Sequence, residues 1–300
     1  MTTLAPPRAP TSPVLRRPLP RAVRRKKTLL AIGNHALLLS VAVIFISPIV
    51  FILLTALMSD RQTLSPNVWP HPFRWSNFLE VMRTVPLVRY TFNTFKYAAG
   101  STIGTVVSCV PVAYALSRLR WKGRDAVFLL VISTIVLPGV VTLIPIYIIF
   151  AKLHWIPSLR PLIVPSFFAG DAFSVFLLRQ FFATIPGELS DAARVDGAGE
   201  FQIMARIVIP LSKPAIAAVA LFNFLYAWND FFNPLLFLGQ DPKLWTLSIG
   251  LSQFQTLHHV QWNQLMAASL LFMVPVIMVF VFAQRAFMEG IKLGVGKYVC

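Results

Sequence analysis

The sequence predicts an all-α protein that lies in a bilayer as six transmembrane helices, and two observations carry that prediction. Of its 300 residues, 56% are hydrophobic and only 13% charged, with a mean hydropathy of +0.69, which is outside the range of a soluble domain of this length. A hydrocarbon core about 30 Å thick needs roughly 20 apolar residues per helix, and runs that meet this demand recur along the whole chain.

The first span is expected at 28–59, where no Asp, Glu, Lys or Arg occurs. It is too long for the core of a signal peptide and is expected to stay as an anchor and span. The next spans are expected at 94–116 and 126–150, then at 161–182 with Asp171 inside it. The last two are expected at 214–238, with Asp230 near its end, and at 265–283. Pro48, Pro111, Pro138, Pro145 and Pro275 fall within these runs, and membrane helices tolerate them because neighbouring groups re-satisfy the freed backbone. Gly100 and Gly104 form a small-xxx-small face. It suits either close approach of another helix or relief of crowding within this chain.

Outside the spans, residues 1–27 hold six prolines, eight basic residues and no acid. They read as an unfolded cytoplasmic lead-in drawn to anionic membrane lipid. The transmembrane domain is expected over 28–290, with a polar loop at 183–213, and a cytoplasmic tail over 291–300. The 59–92 segment, with Trp69, Trp75 and clustered prolines, reads as an interfacial cap on the outer face. LWTLSIGLSQF, within 239–264, is apolar but too short to span, so a re-entrant or surface-lying helix is expected there.

Orientation follows from basic residues, since positive loops stay inside. With the N-terminus inside, cytoplasmic segments collect 19 of the 27 Lys and Arg residues. Both termini and the 183–213 loop are then cytoplasmic. The net charge of +16 is mostly this topology signal: the basic residues are spread over separate loops, not gathered in one patch with interleaved aromatics, which argues against nucleic acid as a partner. Cys109 falls within the second expected span and Cys300 on the reducing cytoplasmic side, so a bond between them is not expected, and neither matches a metal-ligand spacing; the adjacent His258 and His259 read as outer-surface residues. No internal repeat of 20 to 50 residues is present, so an inverted-repeat carrier is not supported. No Gly-rich loop ends in Gly-Lys-Ser or Gly-Lys-Thr, and the 11 acids are scattered. The chain is therefore expected to be no enzyme, to hold no cofactor or metal, and to draw its energy from a partner.

The informative stretch is SDAARVDGAGEFQIMARIVIP at 190–210. Pro186 and Ser190 offer helix-start chemistry, and Asp191 is placed near a positive helix end. A short helix is expected to run to Asp196 and to end in a left-handed Gly197. A second helix should run over 199–209, stopped by Pro210 and Pro214. Ala192, Ala193 and Ala198 leave little bulk around this elbow. Asp191-Ala192-Ala193, then three residues, Gly197, nine residues, and Ile207-Val208-Ile209-Pro210 resembles the hallmark of permease subunits of ABC importers: Glu-Ala-Ala, three residues, Gly, nine residues, Ile-x-Leu-Pro. Asp191 stands for Glu and Ile209 for Leu. WPHPFRWSNF, NTFKYAAGST, FLLRQFFATIPGELSDAARVDGA, AWNDFFNPLLFL and GIKLGVGKY extend the likeness over nearly the whole chain. They are similar to the carbohydrate branch, near the six-span permeases of maltose transporters.

That resemblance implies the type I ABC importer permease architecture in a bacterial inner membrane, with sugars or oligosaccharides as cargo. It further implies four kinds of partner: a second homologous permease, two ATP-binding cassette subunits carrying ATP and Mg, an extracytoplasmic solute-binding protein, and membrane lipid. Asp191, Ala192, Ala193, Asp196, Gly197, Ile207 and Pro210 would dock on the ATPase. Asp171 and Asp230, the acids at membrane depth, read either as structural carboxylates or as acceptors for substrate hydroxyls. Trp228, Asn229 and Asp230 together offer sugar-binding chemistry, though contact with a partner protein fits them equally. Another solute, or less readily a carrier or channel, remains the alternative.

Overall fold

The computed structural model describes residues 21–255 and 260–295; residues 1–20, His258, His259 and Cys300 lie outside the described residues. Helices dominate, and Gln255 and Val260 form an isolated bridge. The chain divides into two compact units, 1–51 and 52–300. In the first, the Arg21–Ala56 helix begins ahead of the expected boundary at Thr28. From Leu37 to Phe51 its large apolar side chains are mostly exposed, as suits a helix surrounded by lipid or by another chain.

The second unit is organised around the Leu87–Ser117 helix, which packs on the Ala172–Ala183, Lys213–Asn229 and Leu247–Ser252 helices. Its buried residues Tyr90, Thr94, Tyr97, Ser101, Thr105, Cys109, Ala113 and Leu116 recur at three- and four-residue steps, so one stripe of this helix runs the length of the unit. Two cores lie along it. One gathers Tyr90, Tyr97, Trp228, Leu238 and Leu247 toward its Leu87 end. The other gathers Cys109, Tyr114, Leu178, Phe182, Ile203 and Val208 toward its Ser117 end. Asn77, at the start of the Ser76–Thr84 helix, donates to the carbonyls of Ala56 and Met58 at 2.8 Å each. The buried carbonyls that follow the first helix are thereby satisfied.

Among the described residues, four helical stretches are each long and apolar enough to cross a membrane: Ile32–Ala56, Leu87–Ser117, Arg160–Ala183 and Trp262–Val281. The count reaches six only if each of two bent pairs is one span. The span expected at 126–150 is one of them: Arg124–Val136 and Gly139–Lys152 meet at 98°. Leu137 sits extended between them, the conformation that a following proline favours. Pro48, Pro111, Pro145 and Pro275 do lie inside helices, whereas Pro138 marks this break. The other pair, Glu200–Leu211 with Lys213–Asn229, bends by 79°.

Two more expected spans are interrupted next to their acids. Within 161–182 the chain passes through a 3-10 turn at Val164–Phe168 and a left-handed Ala169 before Ala172–Ala183 begins. Within 214–238 the helix stops at Asn229 and resumes as Phe232–Phe237. Gly104 faces the 3-10 turn, and a Cβ there would lie 2.2 Å from Ser166 Oγ and 2.7 Å from the Phe167 ring. At Gly100 a Cβ would come within 3.0 Å of the Ile163 side chain. The two glycines therefore serve packing within this chain. The apolar segment after Gly239 forms the short Leu247–Ser252 helix, with Leu247 N–H donating to Thr94 Oγ1 at 2.8 Å.

Candidate functional site

The polar loop folds as an elbow of two helical arms. The first arm, Gly187–Val195, starts directly after Pro186, whose fixed φ and missing N–H suit a helix entry. Ser190 is not its cap, as expected from the sequence, but a buried residue inside it. Asp191 likewise sits in mid-helix, and the first-turn acid is Glu188. At the far end Gly197 N–H donates to the Arg194 carbonyl at 3.0 Å and Ala198 N–H to the Ala193 carbonyl at 2.9 Å. That pair of bonds closes a helix C-terminus through a left-handed residue and brings Ala193 against Ala198. Gly197 has φ +82, and nothing lies within 4 Å of the place a Cβ would take. Backbone conformation, not space, demands glycine here.

The second arm begins at Glu200 and continues through a π turn at Met204–Val208 into Ile209–Leu211. Pro210 therefore does not stop it. A wider turn just before a proline relieves the clash of its ring with the carbonyl four residues back, and the chain turns instead at Ser212. Ile207 is partly buried and packs against the core at the Ser117 end, beside fully buried Val208. It anchors the arm and is not presented outward, while Pro210 is exposed.

Four residues that sequence reasoning passed over hold the elbow together. Arg194 donates to Asp191 at 2.7 Å and, across the bend, to Glu200 at 2.8 Å. The second Glu200 oxygen accepts the Tyr114 hydroxyl at 2.6 Å, which ties the elbow to the Leu87–Ser117 helix. Arg118, just past that helix, donates to the Ile185 carbonyl at 2.6 Å. The Arg194 and Tyr114 hydrogen bonds hold the Glu200 carboxyl below the usual glutamate range. Asp191, Ala192, Asp196 and Gly197 are each exposed, as are Val195, 88% exposed, and Phe201, 75% exposed.

The candidates at membrane depth separate. Trp228 is 0% exposed, stacked on Phe224 with centroids 5.5 Å apart and packed on Phe272. It offers no face to a solute, against the expectation. Asn229 is exposed and donates to the Leu225 carbonyl. Asp230 accepts from Tyr97 Oη at 2.7 Å and from Asn233 Nδ2 at 3.0 Å, so its carboxylate is engaged in joining two helices. Asp171 caps the Ala172–Ala183 helix, accepting Phe173 N–H at 3.1 Å and the Ser174 hydroxyl. It also lines a cavity of about 440 Å³ with Phe173, Phe222, Asn223 and Tyr226. A second, more apolar cavity of about 640 Å³ lies between the Gly139–Lys152 helix and the 161–168 segment and reaches Tyr97, Phe150 and Asn233. Among the described residues no cluster of metal-ligating side chains occurs.

Comparison with known proteins agrees with this architecture. A family model described as "binding-protein-dependent transport system inner membrane component" matches residues 100–292. The sn-glycerol-3-phosphate transport system permease protein UgpE of Agrobacterium fabrum is 33% identical over 268 residues, covering 86% of this chain and 94% of that protein. Its counterpart in Yersinia enterocolitica is 31% identical over 267 residues, with the same coverage of both chains. Among solved structures, a chain of a bacterial ABC transporter that imports the acidic polysaccharide alginate superposes with TM-score 0.73 and 25% identity, over 88% of this chain and 98% of that one. A chain of an alginate transporter in complex with its periplasmic protein gives TM-score 0.62 at 17% identity, over 88% and 95% of the two chains, and shares the fold.

Proposed function

This chain belongs to the family of binding-protein-dependent transport system inner membrane components, and we propose that it is one half of the pore of an ATP-driven importer for a hydroxyl-rich solute of the carbohydrate and polyol class. The relatives named above carry glycerol phosphate and alginate, both rich in hydroxyls, which supports that cargo class. In this reading a second permease completes the pore, two ATPase subunits supply energy, and a solute-binding protein delivers cargo, as the alginate transporter structure with its periplasmic protein suggests by analogy. The distribution of 19 of 27 basic residues favours cytoplasmic termini and a cytoplasmic elbow.

The observation that carries the proposal is the elbow itself: a bend locked by Arg194 and tied to a membrane helix by Tyr114, with Val195 and Phe201 left uncovered. A rigid projection of this kind converts closure of a motor into a rigid-body shift of the helices it joins. Val195→Asp and Phe201→Asp test it, because both side chains are exposed and neither supports the fold. Each is expected to weaken ATPase assembly by about 30-fold, the effect of losing one interface anchor worth about 2 kcal/mol, while insertion and thermal midpoint stay unchanged. Assembly and uptake at the wild-type level in both variants would refute the docking role. For the cargo path, the cavity at Asp171 is favoured over the Trp228 group, since its carboxylate shares a lining with Asn223 and two aromatic rings besides the Tyr226 phenol.

A further inference from the structure

A polar cavity of about 900 Å³ opens between the turn after Ser117 and the first arm of the elbow. Its lining includes Arg118, Arg120, Trp121, Arg124, Ser190 and Arg194, together with Gly187, Asp191 and Glu200. The charges do not cancel evenly. Both carboxylates are engaged by Arg194, and Arg124 pairs with Asp125 at 3.1 Å. Arg120 has no ion pair among the described residues. Arg118 spends one nitrogen on the Ile185 carbonyl, while its Nε is buried with no hydrogen-bond partner among the described residues. Burial lowers the Arg118 pKa.

Ser190 gives the second, independent observation. It is 3% exposed, and its hydroxyl is buried with no hydrogen-bond partner among the described residues. A buried, unsatisfied polar atom costs about 1–3 kcal/mol and calls for an explanation. The Gly187–Val195 helix also has no side-chain cap at its N-terminus, and Gly187 lines the same space. The unsatisfied groups are therefore donors of one kind of complementarity: guanidinium nitrogens, a hydroxyl and first-turn amides. What satisfies them together is an anion with several acceptor oxygens.

We propose that this cavity binds a phosphate group, presented either by an anionic lipid headgroup or by a soluble phosphate compound. The volume is within the roughly 300–1,000 Å³ of small-molecule sites, and a basic pocket beside membrane helices has the chemistry for lipid phosphate. Arg118 and Arg120 supply the charge, and Ser190 supplies a neutral donor from the elbow. Because Ser190 lies on the first arm and Arg118 holds the Ile185 carbonyl, two residues before that arm, the bound phosphate braces the elbow against the Leu87–Ser117 helix.

The test uses the full chain in nanodiscs, with thermal midpoint and amide hydrogen exchange over 187–195 as readouts. One arm titrates inorganic phosphate into discs of phosphatidylcholine, against chloride at equal ionic strength. The other replaces part of the phosphatidylcholine by phosphatidic acid. Protection in the first arm identifies a soluble source, and protection confined to the second identifies lipid; either supports the site. Arg120→Gln is expected to weaken the response about 10-fold, in line with loss of one charge-assisted contact, whereas Arg83→Gln, remote in sequence and of equal charge change, leaves it intact. Ser190→Ala is the sharper variant. It should match or raise the midpoint without phosphate, since it removes an unsatisfied hydroxyl, yet diminish the phosphate-dependent protection several-fold. No response to either probe overturns the proposal, as does a response that Arg120→Gln and Ser190→Ala leave at the wild-type level. If phosphate and phosphatidic acid are both inert while Arg120→Gln weakens ATPase binding, the cavity belongs to a partner protein instead.

Discussion

Removing the Tyr114 hydroxyl should loosen the whole elbow while leaving the membrane helix beneath it in place. Tyr114 is buried and its Oη lies 2.6 Å from Glu200 Oε2, so Tyr114→Phe deletes one hydrogen bond to a charged group, worth about 1.5–3 kcal/mol. The Arg194 contacts to Asp191 and Glu200 are shorter than 3 Å but lie on half-exposed side chains. Solvent screening limits each to about 0–1 kcal/mol. The structure thus ranks the buried tyrosine above the more conspicuous ion pairs. Amide exchange over residues 187–211 in a nanodisc reads the difference: a loss of 1.5–3 kcal/mol speeds exchange about 10- to 150-fold where exchange follows local opening, while Arg194→Ala, which removes both pairs and therefore no more than about 2 kcal/mol, speeds it by up to about 30-fold. Glu200→Gln keeps an acceptor for Tyr114 and loses only the charge, so it should fall between the two. A double-mutant cycle of Tyr114→Phe with Glu200→Gln should show strong non-additivity, because the pair shares one bond. Exchange in Tyr114→Phe within 2-fold of wild type, or a larger effect from Arg194→Ala, would refute the ranking and with it the anchorage through the membrane helix.

Gly197→Ala should cost the elbow about 1–2 kcal/mol, the penalty for a left-handed residue bearing a Cβ, although the space around it is open; Gly197→Asn should cost less, and exchange of the 196–199 amides measures both. Gly104→Ala should lower the thermal midpoint through overpacking of about 1–3 kcal/mol, because its Cβ meets Ser166 and Phe167, whereas Gly139→Ala, with nothing near its Cβ, should not. The Glu200 carboxyl is held below its ordinary value, so its contribution is complete above the unfolded glutamate pKa and is lost as pH falls through the lower folded value. Elbow exchange should therefore quicken only below the usual glutamate range, and Glu200→Gln should abolish that step. Asp171→Ala removes a helix cap and should cost about 0.5–2 kcal/mol; Asp171→Asn keeps the acceptor and isolates any effect of its charge on cargo affinity in uptake assays.

The features legible in the sequence are those set by local chemistry. Hydropathy locates the helices, and Asp196-Gly197 locates the bend, because a left-handed helix end requires glycine within a few residues. Breaks set by interactions along the chain are harder to read. Pro138 ends a helix whereas Pro145 does not, and only the extended Leu137 before it distinguishes the two. The burial of Trp228 is hidden because composition reveals a side chain but not its direction. Its spacing from Val219, Phe224 and Ala227, all buried on one face, is the available clue. The bond from Tyr114 to Glu200 joins residues 86 apart in sequence, and no local pattern encodes such a contact. The same holds for Gly104, whose neighbour is a 3-10 turn some 60 residues later in the chain.

These long-range contacts give the elbow its mechanical consequence. Within the proposed mechanism, force on the first arm enters the Leu87–Ser117 helix at two points, Tyr114 through Glu200 and Arg118 through the Ile185 carbonyl. The helix then meets the membrane-depth features along its own length: Ser108 donates to the Ser166 carbonyl at 2.8 Å, Gly104 abuts the 3-10 turn, and Tyr97 both lines the 640 Å³ cavity and holds Asp230. Each contact involves a buried or close-packed group, so a shift of the helix cannot be absorbed by side-chain slack and must move its neighbours. A displacement at the elbow therefore reaches the bent pair and the broken spans through one rigid element. The interruptions at Leu137, Ala169 and Asp230 are where the surrounding helices have backbone freedom to follow. Spin labels across the Leu137 break should change separation when the ATPase closes in wild type and fail to do so in Tyr114→Phe. An unaltered response in that variant would place the transmission path through Arg118 alone.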